Sequence, residues 1–204
     1  MSSDQNGRVA WARLPRRRAY HVGNLRAQLM EEARFLLETV GIGQLSLRAL
    51  AARAGIAAGS VYHHYASKQV LLAGLAVEGF GELEAALREA AAAAQPTPIR
   101  ATALAYFGFA RDQPALYTLM FDPLILAEQE VDAARKRAFA ELEAAIRGAP
   151  SQSDREPELV HKVALAVWAC GHGAASMTLA DPTDIDGRLM EDVIQGLEVL
   201  FRRR

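Results

Sequence analysis

The chain has 204 residues, 51% of them hydrophobic and 23% charged, which is enough to bury a sizeable core and ordinary for a globular protein. The net charge of −1 hides an asymmetry: residues 1–80 hold ten Lys and Arg against five Asp and Glu, and residues 81–204 hold thirteen against nineteen. A basic front and an acidic back point the front toward a polyanion. Cys170 stands alone, which excludes a disulfide framework and a cysteine metal cluster. No apolar run approaches about eighteen residues, so no membrane span is expected. The N-terminus lacks an apolar stretch behind its charges, so no signal peptide is expected either, and the location that follows is cytoplasmic.

Residues 1–23 are polar, carry Arg16-Arg17-Arg18 and read as a flexible basic arm. From Asn24 a first helix is predicted, with Leu25, Leu29, Ala33, Leu36 and Val40 at helical spacing and Gly41 and Gly43 ending it. Ser46 caps a second helix, Leu45 and Leu50 sit at the spacing of a hydrophobic staple, and Gly55 stops it. A third piece runs from about Ala58 to Tyr65, with Tyr65 assigned to the core. Ser67 caps a long fourth helix bearing Leu71, Leu75 and Leu83. Beyond the break at 90–98, helices are predicted at about 98–111, 114–121, 124–148, 156–180 and 185–202, with no strand anywhere. The fold class is therefore all-α, divided as an arm (1–23), a front helical domain (24–80) and a back helical domain (81–204).

Two short helices joined by a Gly-containing turn form a helix-turn-helix unit, whose second helix fits the DNA major groove. Ala58, Gly59 and Ser60 are small enough for close approach to bases, and Tyr62, His63, His64 and Lys68 supply hydrogen-bonding groups for phosphates. Lys68 lies in the first turn of its helix, where a positive charge opposes the dipole unless an anion binds there. A bare helical hairpin with caps is the plainer alternative. The His63-His64 pair does not read as a metal site, because adjacent side chains diverge by about 100° on a helix and no third ligand is near.

The stretch "LSLRALAARAGIAAGSVYHHYASKQVLL", within a match running from Tyr20 to Phe80, resembles the N-terminal domain of the TetR family of transcriptional regulators. The resemblance implies that Ser46, Tyr62 and Lys68 hold phosphates and that Arg48, Ala58, Gly59, Ser60 and His63 lie toward base edges. It also implies a dimer and a double-stranded DNA operator. Two departures stand out: Ala57 where a capping Ser or Thr is common, and Gln69 where Glu is common.

The back half resembles the family more weakly. "VWACGHGAAS" is similar to the Trp-x-x-x-His-Gly signature of one subgroup, carried by Trp168, His172 and Gly173. His161, Leu165, Trp168 and His172 share one helix face. Small residues make the rest of that helix slim, fit either for a homodimer seam with the last helix, whose stripe is Ile185, Leu189, Val193, Leu197 and Leu200, or for plain core. Phe107, Arg111, Tyr117, Met120, Phe121, Phe139, Trp168 and His172 are the candidate walls of a cavity for a small apolar or amphipathic effector, with Arg111 suited to an acidic group. No nucleophile–base pair has a recognisable setting, nothing brings Glu78 and His172 together, and no cofactor or metal is expected. The reading is a ligand-responsive dimeric repressor; its rivals are a ligand-free regulator, a helical enzyme and an interaction module with a vestigial DNA-binding domain.

Overall fold

The computed structural model describes residues 24–94, 98–149, 156–180 and 188–201. Every regular element among them is helical: α1 Leu25–Gln44, α2 Leu47–Ala54, α3 Ala58–His64, α4 Lys68–Ala93, α5 Pro98–Asp112, α6 Pro114–Met120, α7 Pro123–Leu126, α8 Gln129–Gly148, α9 Pro157–Ala180 and α10 Arg188–Phe201. The basic arm, including Arg16, Arg17 and Arg18, lies outside the described residues, as does Ile185; nor are the side chains of Leu200 and Phe201 described.

The front three helices end where their chemistry ends them. Asn24 accepts from the Ala27 amide at 3.3 Å to open α1. Gly41, at φ 76° and ψ 167°, interrupts α1, so the expected stop survives as a kink with one further turn beyond it. Ser46 accepts from the Ala49 amide at 3.1 Å to open α2, and Gly55 closes it in the left-handed conformation at φ 71°. Ser67 accepts from the Val70 amide at 3.2 Å to open α4. Leu29, Leu36, Leu50, Val61 and Tyr65 are buried together under this cap, and the Tyr65 hydroxyl donates to the Arg26 carbonyl.

Helix α4 is continuous through residue 80, so the expected division between the two halves falls inside one helix, and the core runs through it without interruption from Leu29 to Ile194. The close approach of α4 and α6 depends on Gly79, where a methyl group would come within 2.7 Å of the Met120 sulfur. Two polar contacts fasten α1 to the back half. The Glu38 carboxylate accepts from the amides of Ala115 and Leu116 (3.3 and 2.9 Å), capping the start of α6, where Pro114 occupies the first turn. Arg34 pairs with the Glu82 carboxylate and donates to the Gln113 side chain. Arg34 is the main cause that holds the Glu82 carboxyl below its usual range.

The helix expected over 124–148 is two helices. Asp122 accepts from the amides of Leu124 and Ile125 to start the single turn α7, and the chain turns again at Ala127 and Glu128 before α8.

Candidate nucleic-acid interface and effector cavity

Helix α3 buries only Val61 and presents its other side outward. Tyr62 is 48% exposed, His63 and His64 are exposed, and Ala58 and Ser60 are half-buried. Gly59 is exposed, does not have a positive φ and has no neighbour within 4 Å of where a Cβ would stand. Nothing among the described residues requires a glycine there, as an approach of the bare backbone to a base edge would. Gly59→Ala should therefore leave the melting temperature unchanged or slightly raised, since Ala is a better helix former by up to ~1 kcal/mol. It should also weaken duplex binding on the order of tenfold by overpacking the contact. Parallel melting and binding titrations check both signs.

Helix α3 has no side-chain cap at Ala57, and of its first-turn amides that of Ser60 donates to the Ala57 carbonyl at 3.0 Å. Arg48 projects from α2 into solvent beside it. Ser46 is half-buried with its hydroxyl engaged in the α2 cap. The Lys68 ammonium donates to the Ile42 carbonyl at 2.6 Å, across the turn that ends α1. That contact uses one of three donors and holds the charge beside the α3–α4 junction, leaving two for a phosphate oxygen. Thus Ser46, Arg48, Tyr62, His63, His64 and Lys68 come from the cap and body of α2, from α3 and from the first residue of α4. Among the described residues, no group of three His, Cys, Asp or Glu is placed to hold a metal ion.

The cavity of the back half lies between α4, α5, α8, α9 and α10; its enclosed room is about 30 Å³, and the wider cleft of about 410 Å³ takes in open solvent. Thr102, Ala103 and Tyr106 of α5 face Trp168 and Gly171 of α9 across it, and Met190, Val193 and Ile194 of α10 close one side. Of the eight side chains expected to wall a cavity, Trp168 borders this one. Phe107 and Met120 are buried in the core, Phe121 packs on Phe80 and on the His172 ring, and Phe139 stands edge-on behind Trp168 at 5.5 Å. Arg111 is on the surface, its guanidinium donating to the Asp112 carboxylate at 2.9 Å, because the last turn of α5 swings outward. It is not available to hold an acidic ligand in this cavity.

His172 and Tyr117 belong to a buried polar relay that backs the cavity through Tyr106. Burial pushes the Tyr106 hydroxyl well above its ordinary range and the Tyr117 hydroxyl up to about 12, so both stay protonated; burial also lowers His172, so its ring is neutral. The Tyr117 hydroxyl therefore donates to His172 Nδ1 at 2.6 Å, and the Tyr106 hydroxyl donates to the Tyr117 oxygen at 3.0 Å. Tyr117 sits one residue beyond the Leu116 amide that Glu38 caps. The sequence reading missed Tyr106, although its spacing from Thr102 and Ala103 on one face of α5 was there to be read.

The remaining surface of note is the outer face of α9. Leu165 and Met177 are 55% and 61% exposed, and Ala166, Ala169, Cys170 and Ser176 are exposed between them, with Gly173 in the middle of the stripe. By length and composition α9 could cross a membrane, with mean hydropathy 1.4 over its most apolar eighteen residues and 22% of that window buried. Charged and polar residues interrupt it, so no long apolar run announces it in the sequence.

Two family models match. The one described as bacterial regulatory proteins, tetR family, covers residues 29–75, and the one described as tetracyclin repressor-like, C-terminal domain, covers 99–200. A structure of a protein with unknown function from Rhodococcus sp. RHA1 is 31% identical, with a TM-score of 0.73 over 90% of this chain and 96% of that one. A TetR-family transcriptional regulator from Streptomyces coelicolor shares the fold at 20% identity and a TM-score of 0.63, over 85% and 95% of the two chains. SmeT, in complex with triclosan, shares it at 17% identity and 0.61, over 84% and 90%. No curated protein matches the sequence.

The all-α fold, with a short exposed helix held between capped neighbours, defines a helix-turn-helix DNA-binding transcriptional regulator. The chain belongs to the TetR family, whose members are DNA-binding transcription regulators.

Proposed function

We propose that the protein is a ligand-responsive repressor, with no catalytic role, that binds a near-palindromic operator as a homodimer. The carrying observation is the uncovered apolar face of α9, which has the slim, small-residue character of a helix that packs closely on its own copy. Pairing through α9 and α10 sets two α3 helices on one side of a two-fold axis, one per half-site. Trp168, His172 and Gly173 mark the chain as one of the subgroup with the Trp-x-x-x-His-Gly signature. Ser46, Tyr62 and Lys68 position the phosphates, and Arg48, Gly59, Ser60 and His63 face the bases.

The cavity supplies the switch. A ligand wedged against the Tyr106 ring shifts the Tyr106–Tyr117–His172 relay as a unit, with its hydrogen bonds kept. Tyr117 carries α6, and Glu38 ties the start of α6 to α1 of the DNA-binding unit. Ligand binding then favours a spacing of the two α3 helices that misses successive major grooves, which requires tighter binding to that spacing than to the other. A bound small molecule in a neighbour of the same fold, SmeT with triclosan, is in keeping with this reading.

Selection from a random duplex pool tests the DNA side. It should return inverted repeats with half-site centres about 34–36 Å apart or a multiple of that. Enrichment of single, unsymmetric sites would count against the dimeric reader.

A further inference from the structure

The effector reading leaves the chemistry of the ligand open, and the cavity wall narrows it. The lining carries no charged side chain. Its two hydroxyls are committed within the protein: Thr102 donates to the Ile99 carbonyl at 2.8 Å, and Tyr106 donates into the relay with Tyr117. None of the charged side chains on the lining helices borders the cavity, and several are paired elsewhere: Arg100 with Glu191 at 2.8 Å across α5 and α10, and Arg88 with Glu84 and Glu141. The indole N–H of Trp168 makes no hydrogen bond among the described residues, which leaves it as the donor available to a guest.

We infer that this cavity takes an uncharged, mainly aliphatic molecule with a single oxygen acceptor, such as a medium-chain alcohol or ketone, and rejects the carboxylate or ammonium of the same skeleton. The inference rests on the effector reading above and departs from the acidic ligand that Arg111 suggested in the sequence. A guest charge buried here meets neither a counter-ion nor a free set of donors, so transfer from water is unfavourable by far more than an aliphatic chain recovers. A neutral chain exchanges water for the faces of Leu87, Leu142, Val193 and Leu197 and loses nothing polar beyond the one oxygen.

Gly171 provides a variant that closes the site. A Cβ at 171 would meet only Tyr106 Cδ1, at 3.9 Å, which is ordinary contact, and Gly171 lines the cavity, so a larger side chain there competes with a guest for the space. Gly171→Leu also replaces glycine with a better helix former.

The experiment uses decanol, decanoate and decylammonium at neutral pH with the full chain carrying Trp11→Phe, which leaves Trp168 as the single tryptophan. Binding is read as a saturable change in Trp168 emission and as a rise in melting temperature. Decanol should bind, decanoate and decylammonium should bind on the order of a hundredfold more weakly, and Gly171→Leu should abolish the decanol response while the protein stays folded. Should Gly171→Leu fail to fold, the emission titrations and the graded weakening from Gly171→Ala decide the matter. Decanoate or decylammonium binding as tightly as decanol overturns the inference and leaves the effector cavity standing. Decanol binding undiminished by filling at 171, or with Trp168 emission unchanged, places the guest elsewhere and also overturns it. If none of the three compounds changes emission or melting temperature, the effector reading itself falls, and the inference with it.

Discussion

Gly173→Glu should turn the protein into a folded monomer that binds its operator on the order of a thousandfold more weakly, since linking two half-site readers multiplies affinity by that scale without any new contact. At the helical period of 3.6, residues 166, 169, 170, 173, 176, 177 and 180 fall on one stripe of α9, and Gly173 lies near its middle. The opposite stripe, with Val160, Ala164, Val167, Ala174 and Ala175, is buried in the protomer. A Cβ at 173 meets nothing within 4 Å, so one copy accommodates the glutamate. In the proposed dimer two copies would not, because their carboxylates would meet across the two-fold axis in an apolar seam. Sedimentation and an operator titration measure the two effects together. A variant that stays dimeric would mean the seam lies on another face.

Arg53→Ala should lower stability by roughly 3 kcal/mol, or about 6–12 °C in melting temperature for a chain of this length. Arg53 and Glu32 form an ion pair between α2 and α1 whose side chains are 9% and 8% exposed. The guanidinium also lies over the Phe35 ring, its carbon 3.8 Å from the centroid. Truncating it removes the cation from a buried carboxylate and the lid from an aromatic face. The contact joins α1 to α2, so duplex binding should fall with stability. A change of less than ~1 kcal/mol would show that the pair is screened as a surface pair is.

The front of the molecule was legible because its boundaries are written in residue chemistry. Ser46, Gly55 and Ser67 each have a local reason to begin or end a helix, and each does so. The split between α7 and α8 was not legible, because the turn at Ala127 and Glu128 contains neither Gly nor Pro and is set by packing. The cavity was legible in kind but not in membership. Three aromatic residues crowd α5 at 106, 107 and 109, and periodicity cannot say which of them turns toward α9 and α10. The choice fell on Phe107, and the structure gives the position to Tyr106. Arg111 looked like a cation on an apolar helix, but it occupies the last turn, where the face points to solvent and Asp112 is its partner. Gly171 and Gly173 are two residues apart and face opposite ways, one toward the cavity and one toward the uncovered stripe of α9.

The salt dependence of duplex binding tests most directly the claim that α3 and its flanks read DNA. Each phosphate contact contributes about one unit to the slope of log affinity against log salt. Tyr62 is 48% exposed and Lys68 makes one intramolecular hydrogen bond, so replacing either with Ala leaves the core intact, as circular dichroism would verify. The account predicts that Tyr62→Ala and Lys68→Ala each weaken binding to every duplex and make the slope shallower by about one unit. Wild-type affinity and slope in both variants would contradict it.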